Sequence, residues 1–169
     1  LGIAYVPEDR LSEGLFLSQP IERNMVVSIL DRLRRGLFLD RPSMRAKTNE
    51  MLASMQIVAP SADTVVGDLS GGNAQRVMLG RWLLTGPKIL ILNGPTVGVD
   101  VGSKAKIHKI IRDLAQQESL AVLMISDDVP ELVSNCNRVQ VMRDGRFVAQ
   151  FERPSLSEEK INDSLKALK

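Results

Sequence analysis

Cysteine is almost missing from this sequence: Cys136 is the only one among 169 residues, and His108 is the only histidine. A lone thiol cannot close an internal disulfide, and one Cys with one His cannot complete a zinc set. Disulfide-stapled and zinc-finger classes are thereby excluded, and Cys136 reads as inert packing in a reducing compartment. An excess of charge of one sign is lacking as well. The 22 Lys and Arg stand against 20 Asp and Glu, a net of +2, too even for a protein whose main partner is a polyanion, so no nucleic-acid partner is expected. Long apolar runs are absent: 89–92 and 120–125 are the longest, far short of the roughly 20 residues a bilayer requires. Any membrane contact is expected to be peripheral. No basic stretch, apolar run and small-residue cleavage site open the chain, and the start at Leu1 in a β-prone run suggests a segment of a longer protein.

What is present begins with a core. Hydrophobic residues fill 44% of the positions, enough for one domain of roughly 150 residues, and long disorder is not expected. Residues 3–6 form a β-prone run stopped by Pro7 and followed by the charged turn Glu8-Asp9-Arg10, which predicts a strand leading into a loop. From 21 to 84 the spacing becomes helical and predicts helices over 24–33, 43–55 and 74–84, the second opened by Pro42. Arg32, Arg34 and Arg35 at the end of the first read as a solvated face favoured by the helix dipole rather than as a phosphate patch. Beyond Pro87, strands are predicted at 89–93 and 120–126 and helices at 103–117 and 129–136. That alternation argues for an α/β fold with a parallel sheet covered on both faces. Residues 138–143 and 146–151 flank Asp144-Gly145 as a hairpin, and 157–168 reads as a closing helix with Ser157 as its N-cap and Glu158 and Glu159 in its first turn.

The stretch with chemical content is Leu69-Ser70-Gly71-Gly72-Asn73-Ala74-Gln75-Arg76, set directly before an apolar helix. Two glycines let a backbone approach a ligand closely, the N–H groups of a helix start form an anion site, and Ser70 adds a hydroxyl. Taken alone, Ser-Gly-Gly is a turn and cap; its context says more. Downstream lie the 89–92 strand, Asn93-Gly94-Pro95-Thr96, Gly98-Val99-Asp100, and a second strand ending in Ser126-Asp127-Asp128. In this order the sequence resembles the ATP-binding subunits of ABC transporters over essentially its whole length. The details Val6-Pro7-Glu8-Asp9-Arg10 and Gly98-Val99-Asp100-Val101-Gly102 resemble the C-terminal half of the tandem ATPases that energise bacterial sugar importers.

The resemblance implies a P-loop NTPase (RecA-like) core with a helical subdomain at about 14–86, core at 87–152 and a C-terminal helix at 153–169, truncated at its N-terminus. It implies that Ser70, Gly71, Gly72, Asn73 and Gln75 meet ATP in trans, that Glu8 sits at the Q-loop with a weak claim on Mg²⁺, and that Asp100 lies in the D-loop. Asp100 also suits a helix cap. The implied partners are a second nucleotide-binding domain and membrane permease subunits, at the cytoplasmic face of the inner membrane; the implied cofactors are ATP and Mg²⁺. Nothing in the sequence matches Gly-x-x-x-x-Gly-Lys-Ser/Thr, the loop that holds β- and γ-phosphates and that precedes the Q-loop in the family. An isolated 169-residue product is accordingly expected to fold incompletely, since a missing interior strand bares apolar faces and unpaired backbone.

Three positions depart from the family's pattern. Asn93 stands where a magnesium-binding aspartate is expected, and an amide binds Mg²⁺ more weakly than a carboxylate. Gly94 stands where a glutamate polarises water, and glycine can take no proton. Asp127 replaces a histidine that contacts the γ-phosphate, and a carboxylate is repelled there. The expectation is a degenerate site that still lends its signature loop to another; the alternative is an inactive docking module bound to a membrane subunit or a partner ATPase. His108 is assigned no chemistry.

Overall fold

The computed structural model describes residues 2–117 and 120–167, in two compact units, Leu1–Leu123 and Met124–Lys169. The first unit opens with β1 (Ile3–Val6), which runs through Pro7 into a turn of π-helix at Arg10–Gly14. Asp9 fixes that turn: its carboxylate accepts from the backbone N–H groups of Leu11 (2.9 Å) and Ser12 (3.2 Å) and from the Ser12 hydroxyl (2.6 Å).

Next come α1 (Ile21–Val26), the short strands β2 (Arg34–Arg35) and β3 (Phe38–Leu39), α2 (Arg41–Ser54) and α3 (Gly71–Leu83). A single helix over 24–33 is not what forms. α1 stops at Val26 and continues as a tighter 3₁₀ segment, Val27–Leu33, in which Ile29 leaves helical geometry at φ −128°, ψ 16°. Val26, Val27 and Ile29 are β-branched and crowd the preceding turn, and the break allows Ile29 and Leu33 to be buried. α2 begins two residues before the predicted 43, because Asp40 rather than Pro42 supplies the cap, accepting from Ser43 N–H at 3.1 Å. The arginine cluster is exposed, as its reading has it, but does not end an α-helix. Arg34 and Arg35 lie in β2, and Arg32 donates to the carbonyls of Thr85 (2.9 Å) and Leu84 (3.4 Å), satisfying the C-terminal end of α3.

Methionines fill much of the helical core: Met25, Met44, Met51, Met55 and Met78 are all buried beside Ile21, Val26 and Val77, an adaptable filling for an irregular interior. Among its buried polar residues, Asn24 and Arg81 are bonded to each other. Asn24 is fully buried, its Oδ1 accepting from Phe16 N–H (2.9 Å) and from Arg81 (2.6 Å). Arg81 also donates to the carbonyls of Asn24 (2.7 Å) and Gly14 and lies 5.5 Å from the centre of the Phe16 ring. Burial pushes its pKa down to about 10, which leaves it charged at neutral pH.

β4 (Ile89–Asn93), α4 (Val101–Gln117) and the start of β5 (Ala121–Ile125) complete the unit. The sheet order is β1-β4-β5, with β1 parallel to β4 in the register Ile3↔Ile89 to Val6↔Leu92. Ala4, Val6, Leu90 and Leu92 make its buried face, and α3 packs against β1. The opposite face is open: Ile3 is 53%, Tyr5 46% and Ile89 39% exposed. The sheet is thus covered on one face, not both, because no described helix of this unit lies over that second apolar row.

In the second unit, α5 (Val129–Asn135) follows Asp128, which caps it by accepting from Glu131 N–H (3.1 Å). β6 (Arg138–Arg143) and β7 (Arg146–Glu152) pair antiparallel around Asp144 and Gly145, whose φ values of 48° and 74° give the tight left-handed turn that the Asp-Gly pair predicts. α6 (Glu158–Ala167) has Ser157 as its cap, at 3.4 Å from Lys160 N–H; Leu168 of the predicted helix lies outside the described residues. Val139, Val141 and Ile161 form this unit's core, with Leu132, Cys136 and Phe151 against it, and burial raises the Cys136 thiol pKa. Among the described residues no helix is long and apolar enough to cross a membrane.

Candidate functional site

α3 starts at Gly71, three residues before the predicted 74, so both Gly71 and Gly72 belong to its first turn. Their N–H groups lack intrahelical partners by geometry alone. Ser70 is the exposed N-cap, and its Oγ accepts from the backbone N–H (3.4 Å) and the side-chain amide (3.1 Å) of Asn73. Asn73 is held in turn, since its Oδ1 accepts from Val58 N–H (2.9 Å) and Arg76 (2.8 Å). Arg76, 3% exposed, is anchored on the carbonyls of Gly72 (3.1 Å), Met55 (3.3 Å) and Gln56; burial lowers its pKa while the Asp100 charge opposes this. A chain of donors therefore runs from Arg76 through Asn73 to Ser70 and ends on an oxygen whose own proton is left to donate outward. Gln75 is only 3% exposed, within the packed body of α3.

The two glycines also have an intramolecular reason to be glycine. A Cβ on Gly71 would lie 3.0 Å from an Arg10 guanidinium nitrogen and 3.1 Å from the Gly98 carbonyl oxygen, and one on Gly72 would collide with the Ser103 side chain. Ser103 sits in the first turn of α4, where its N–H donates to Asp100 at 2.9 Å. Hydrogen bonds from Ser103, the hydroxyl first and then the backbone, hold the Asp100 carboxyl below its ordinary value. Asp100 is thus a helix cap in this chain.

At the end of β4, Asn93 is half-buried and donates to the Tyr5 hydroxyl at 3.4 Å. Gly94 is buried at φ +54°, and a Cβ there would be 2.9 Å from both Glu8 Cγ and Val97 Cγ2. Glu8 is exposed, and with Arg10, Glu13, Asn93, Val97 and Gly98 it lines a cleft of about 480 Å³. The fold thus brings Glu8, Asn93 and Gly94 together, and brings Gly71, Gly72 and Asp100 against Gly98 and Ser103. Asp127 is exposed, just ahead of the Asp128 cap in the second unit. Among the described residues no group of three His, Cys, Asp or Glu side chains could hold a metal ion.

Arg10 escaped the sequence reading. Its guanidinium donates to the carbonyls of Val97 (2.7 Å) and Gly98 (3.0 Å), partners 87 and 88 positions away. No periodicity reports such a contact. The Asn73–Arg76 pair carried a weak signal, a polar (i, i+3) spacing at the start of a helix.

Comparison with known proteins supplies the context. The model of a family described as "ABC transporter" matches residues 2–97. "Ribose import ATP-binding protein RbsA 1" of Agrobacterium fabrum is 44% identical over 160 residues, covering 95% of this chain and 31% of that protein. "Ribose import ATP-binding protein RbsA 2" of Streptomyces avermitilis is 41% identical over 160 residues, again 95% of this chain and 32% of that one. The chain therefore spans about a third of the length of these relatives. Among solved structures, a nucleotide-free ATP-binding cassette from an ABC transporter superposes with a TM-score of 0.76 at 20% identity, covering 98% of this chain and 65% of that one. The dimeric cassette MJ0796 bound to ADP and Pi gives 0.74 at 22% identity, covering 89% and 62%. The fold is that of an ATP-binding cassette.

Proposed function

Because the chain belongs to the ABC transporter family, we propose that it is part of the ATP-binding component of a carbohydrate import system, lending its signature turn in trans to an ATP site completed by a second nucleotide-binding domain. The observation that carries this reading is the exposed Ser70 hydroxyl at the start of α3, whose oxygen accepts two hydrogen bonds from Asn73 and so leaves its own proton to donate elsewhere. Beside it, the first-turn N–H groups of Gly71 and Gly72 form a ready seat for phosphate oxygens. ATP, when bound, supplies the phosphoanhydride bond to be broken. Ser70 and the two N–H groups donate to its terminal oxygens, Asn73 and Arg76 hold Ser70 in place, and Asp100 holds the neighbouring α4 start.

The chain's own β4 end suits neither magnesium nor a general base. Asn93 offers a neutral amide, Gly94 offers no side chain, and among the described residues the cleft's carboxylates, Glu8, Asp9 and Glu13, form no group of three that could hold a metal ion. We assign no hydrolytic step to it; Asn93, Gly94 and Asp127 mark a site that at most binds nucleotide. In this reading residues 14–86 form the helical subdomain that meets a membrane permease subunit, 87–152 belong to the core, 153–169 close it, and the assembly sits peripherally on the cytoplasmic face of the membrane.

The test is ATP hydrolysis by the full-length protein assembled with its membrane subunits. Ser70→Arg is expected to lower the rate by about 100-fold, the scale for loss of an oxyanion donor, while the lost cap costs only about 1 kcal/mol of stability. An unchanged rate overturns the reading. The absent carboxylates at Asn93 and Gly94 also favour a second reading, a docking module without turnover, under which dimerisation would be the same with and without ATP.

A further inference from the structure

Arg10 occupies a place that none of the motif assignments explains. Asp9 pins the start of the Arg10–Gly14 turn through three hydrogen bonds, and from that turn the Arg10 side chain crosses to the loop after β4. Its two terminal nitrogens donate to successive carbonyls, Val97 at 2.7 Å and Gly98 at 3.0 Å, the forked geometry only a guanidinium provides. Its Nε is buried without a partner, so the side chain is held by the fork and by packing. On its other side the same guanidinium borders the signature turn, where a Cβ on Gly71 would come within 3.0 Å of it. Arg10, whose backbone N–H donates to the Glu8 carbonyl at 3.1 Å, thus reaches with its side chain the segment leading to Asp100 and borders the first residue of α3.

We propose that Arg10 is a positioning residue that couples the cleft formed by Glu8 and Asn93 to the signature turn. The guanidinium sets where the Gly98 carbonyl lies, and through Gly98 and its own edge it sets where Gly71 lies. A shift of the Glu8 turn, as when nucleotide enters or leaves the chain's own cleft, is carried by this rigid fork to the Ser70, Gly71 and Gly72 donors that serve the other site. The coupling rests on the trans reading of the signature turn given above. Gly98, at φ +65° with Arg10 nitrogens 3.3 and 3.4 Å from where its Cβ would be, fits the same account: a side chain there would be strained and would press on the fork.

Steady-state ATPase of the full-length protein in its assembled transporter tests this, with Arg10→Ala, Arg10→Lys, Gly71→Ala and the two doubles. Arg10→Ala should lower kcat per folded molecule about tenfold and leave KM for ATP within about twofold, and Arg10→Lys, which reaches one carbonyl without the fork, should recover only part of it. In the Arg10→Ala background Gly71→Ala should cost less than in the parent, since the edge it presses on is gone. If Arg10→Ala does not fold, the Arg10→Lys pair with Gly71→Ala gives the same decision. A parental kcat per folded molecule, or strictly additive effects of the two positions, overturns the coupling. Ser70→Arg run alongside separates the two claims: if it too leaves the rate unchanged, the trans reading has failed, whereas if it abolishes the rate while Arg10→Ala does not, only the coupling has.

Discussion

The start of α3 and the end of β4 lie in one unit and share Arg10 as a neighbour, yet they are built on different terms. At the start of α3, chemistry and packing coincide: Ser70 keeps an outward donor, and Gly71 and Gly72 are pressed by Gly98, Arg10 and Ser103. At the end of β4 the backbone is equally specific, with Gly94 at φ +54° between Glu8 and Val97, but Asn93 and Gly94 themselves bring no carboxylate, and the nearest one is that of Glu8. The two regions meet at the carbonyls of Val97 and Gly98, which receive the Arg10 guanidinium.

The sharpest way to break this contrast is to crowd the start of α3. Gly72→Val should destabilise the full-length protein by about 3 kcal/mol, the upper range for overpacking, seen as a lower urea midpoint, and Ser103→Gly in the same molecule should restore part of it. A parental midpoint for Gly72→Val would mean that the close approach to α4 constrains nothing. A smaller effect is expected across the cleft, where Gly94→Glu puts a side chain on a left-handed residue at about 1–2 kcal/mol and must displace Glu8. Combined with Asn93→Asp it should add no measurable hydrolysis, because the new carboxylate starts from a backbone shaped for glycine; a gain in turnover would show that only the side chains were missing. The smallest effect is acid sensitivity. Hydrogen bonds from Ser12, its hydroxyl first, hold Asp9 below its ordinary pKa, and those from Ser103 do so for Asp100. Their contribution is fully present above the ordinary Asp value of about 3.9 and is lost as pH falls through the lower folded values. Denaturation midpoints measured between neutral pH and about pH 3 should fall, and Asp100→Asn should flatten that fall slightly, whereas Asn93→Ala at the β4 end should leave it as it is.

Much of the fold was legible because its signals are local. The Asp144-Gly145 turn, the Ser157 cap and the apolar runs of β4 and β5 each declare themselves within a few residues, and the structure has them where the pattern put them. The errors fall where distant parts decide. The 24–33 helix breaks at Ile29 so that Ile29 and Leu33 can be buried, and Arg32, exposed as its reading has it, also meets carbonyls 52 and 53 positions away. The candidate site divides in the same way: the order of Ser70, Gly71, Gly72, Asn93, Gly94 and Asp100 is written in the chain, but their mutual distances are not.

By itself, the sequence determined an α/β chain of ABC type, near-neutral, with one thiol and a β4 end that has no carboxylate, since composition and short motifs need no neighbours to be read. Only the tertiary structure decided that Gly71 and Gly72 are hemmed in by Arg10, Gly98 and Ser103, that Gly94 is left-handed, that Arg81 and Asn24 share a buried hydrogen bond, and that Ile3, Tyr5 and Ile89 stay exposed on one face of the sheet. These are contacts between residues tens of positions apart, set by which surfaces meet once the core closes, and no local pattern encodes a meeting whose partner lies elsewhere in the chain.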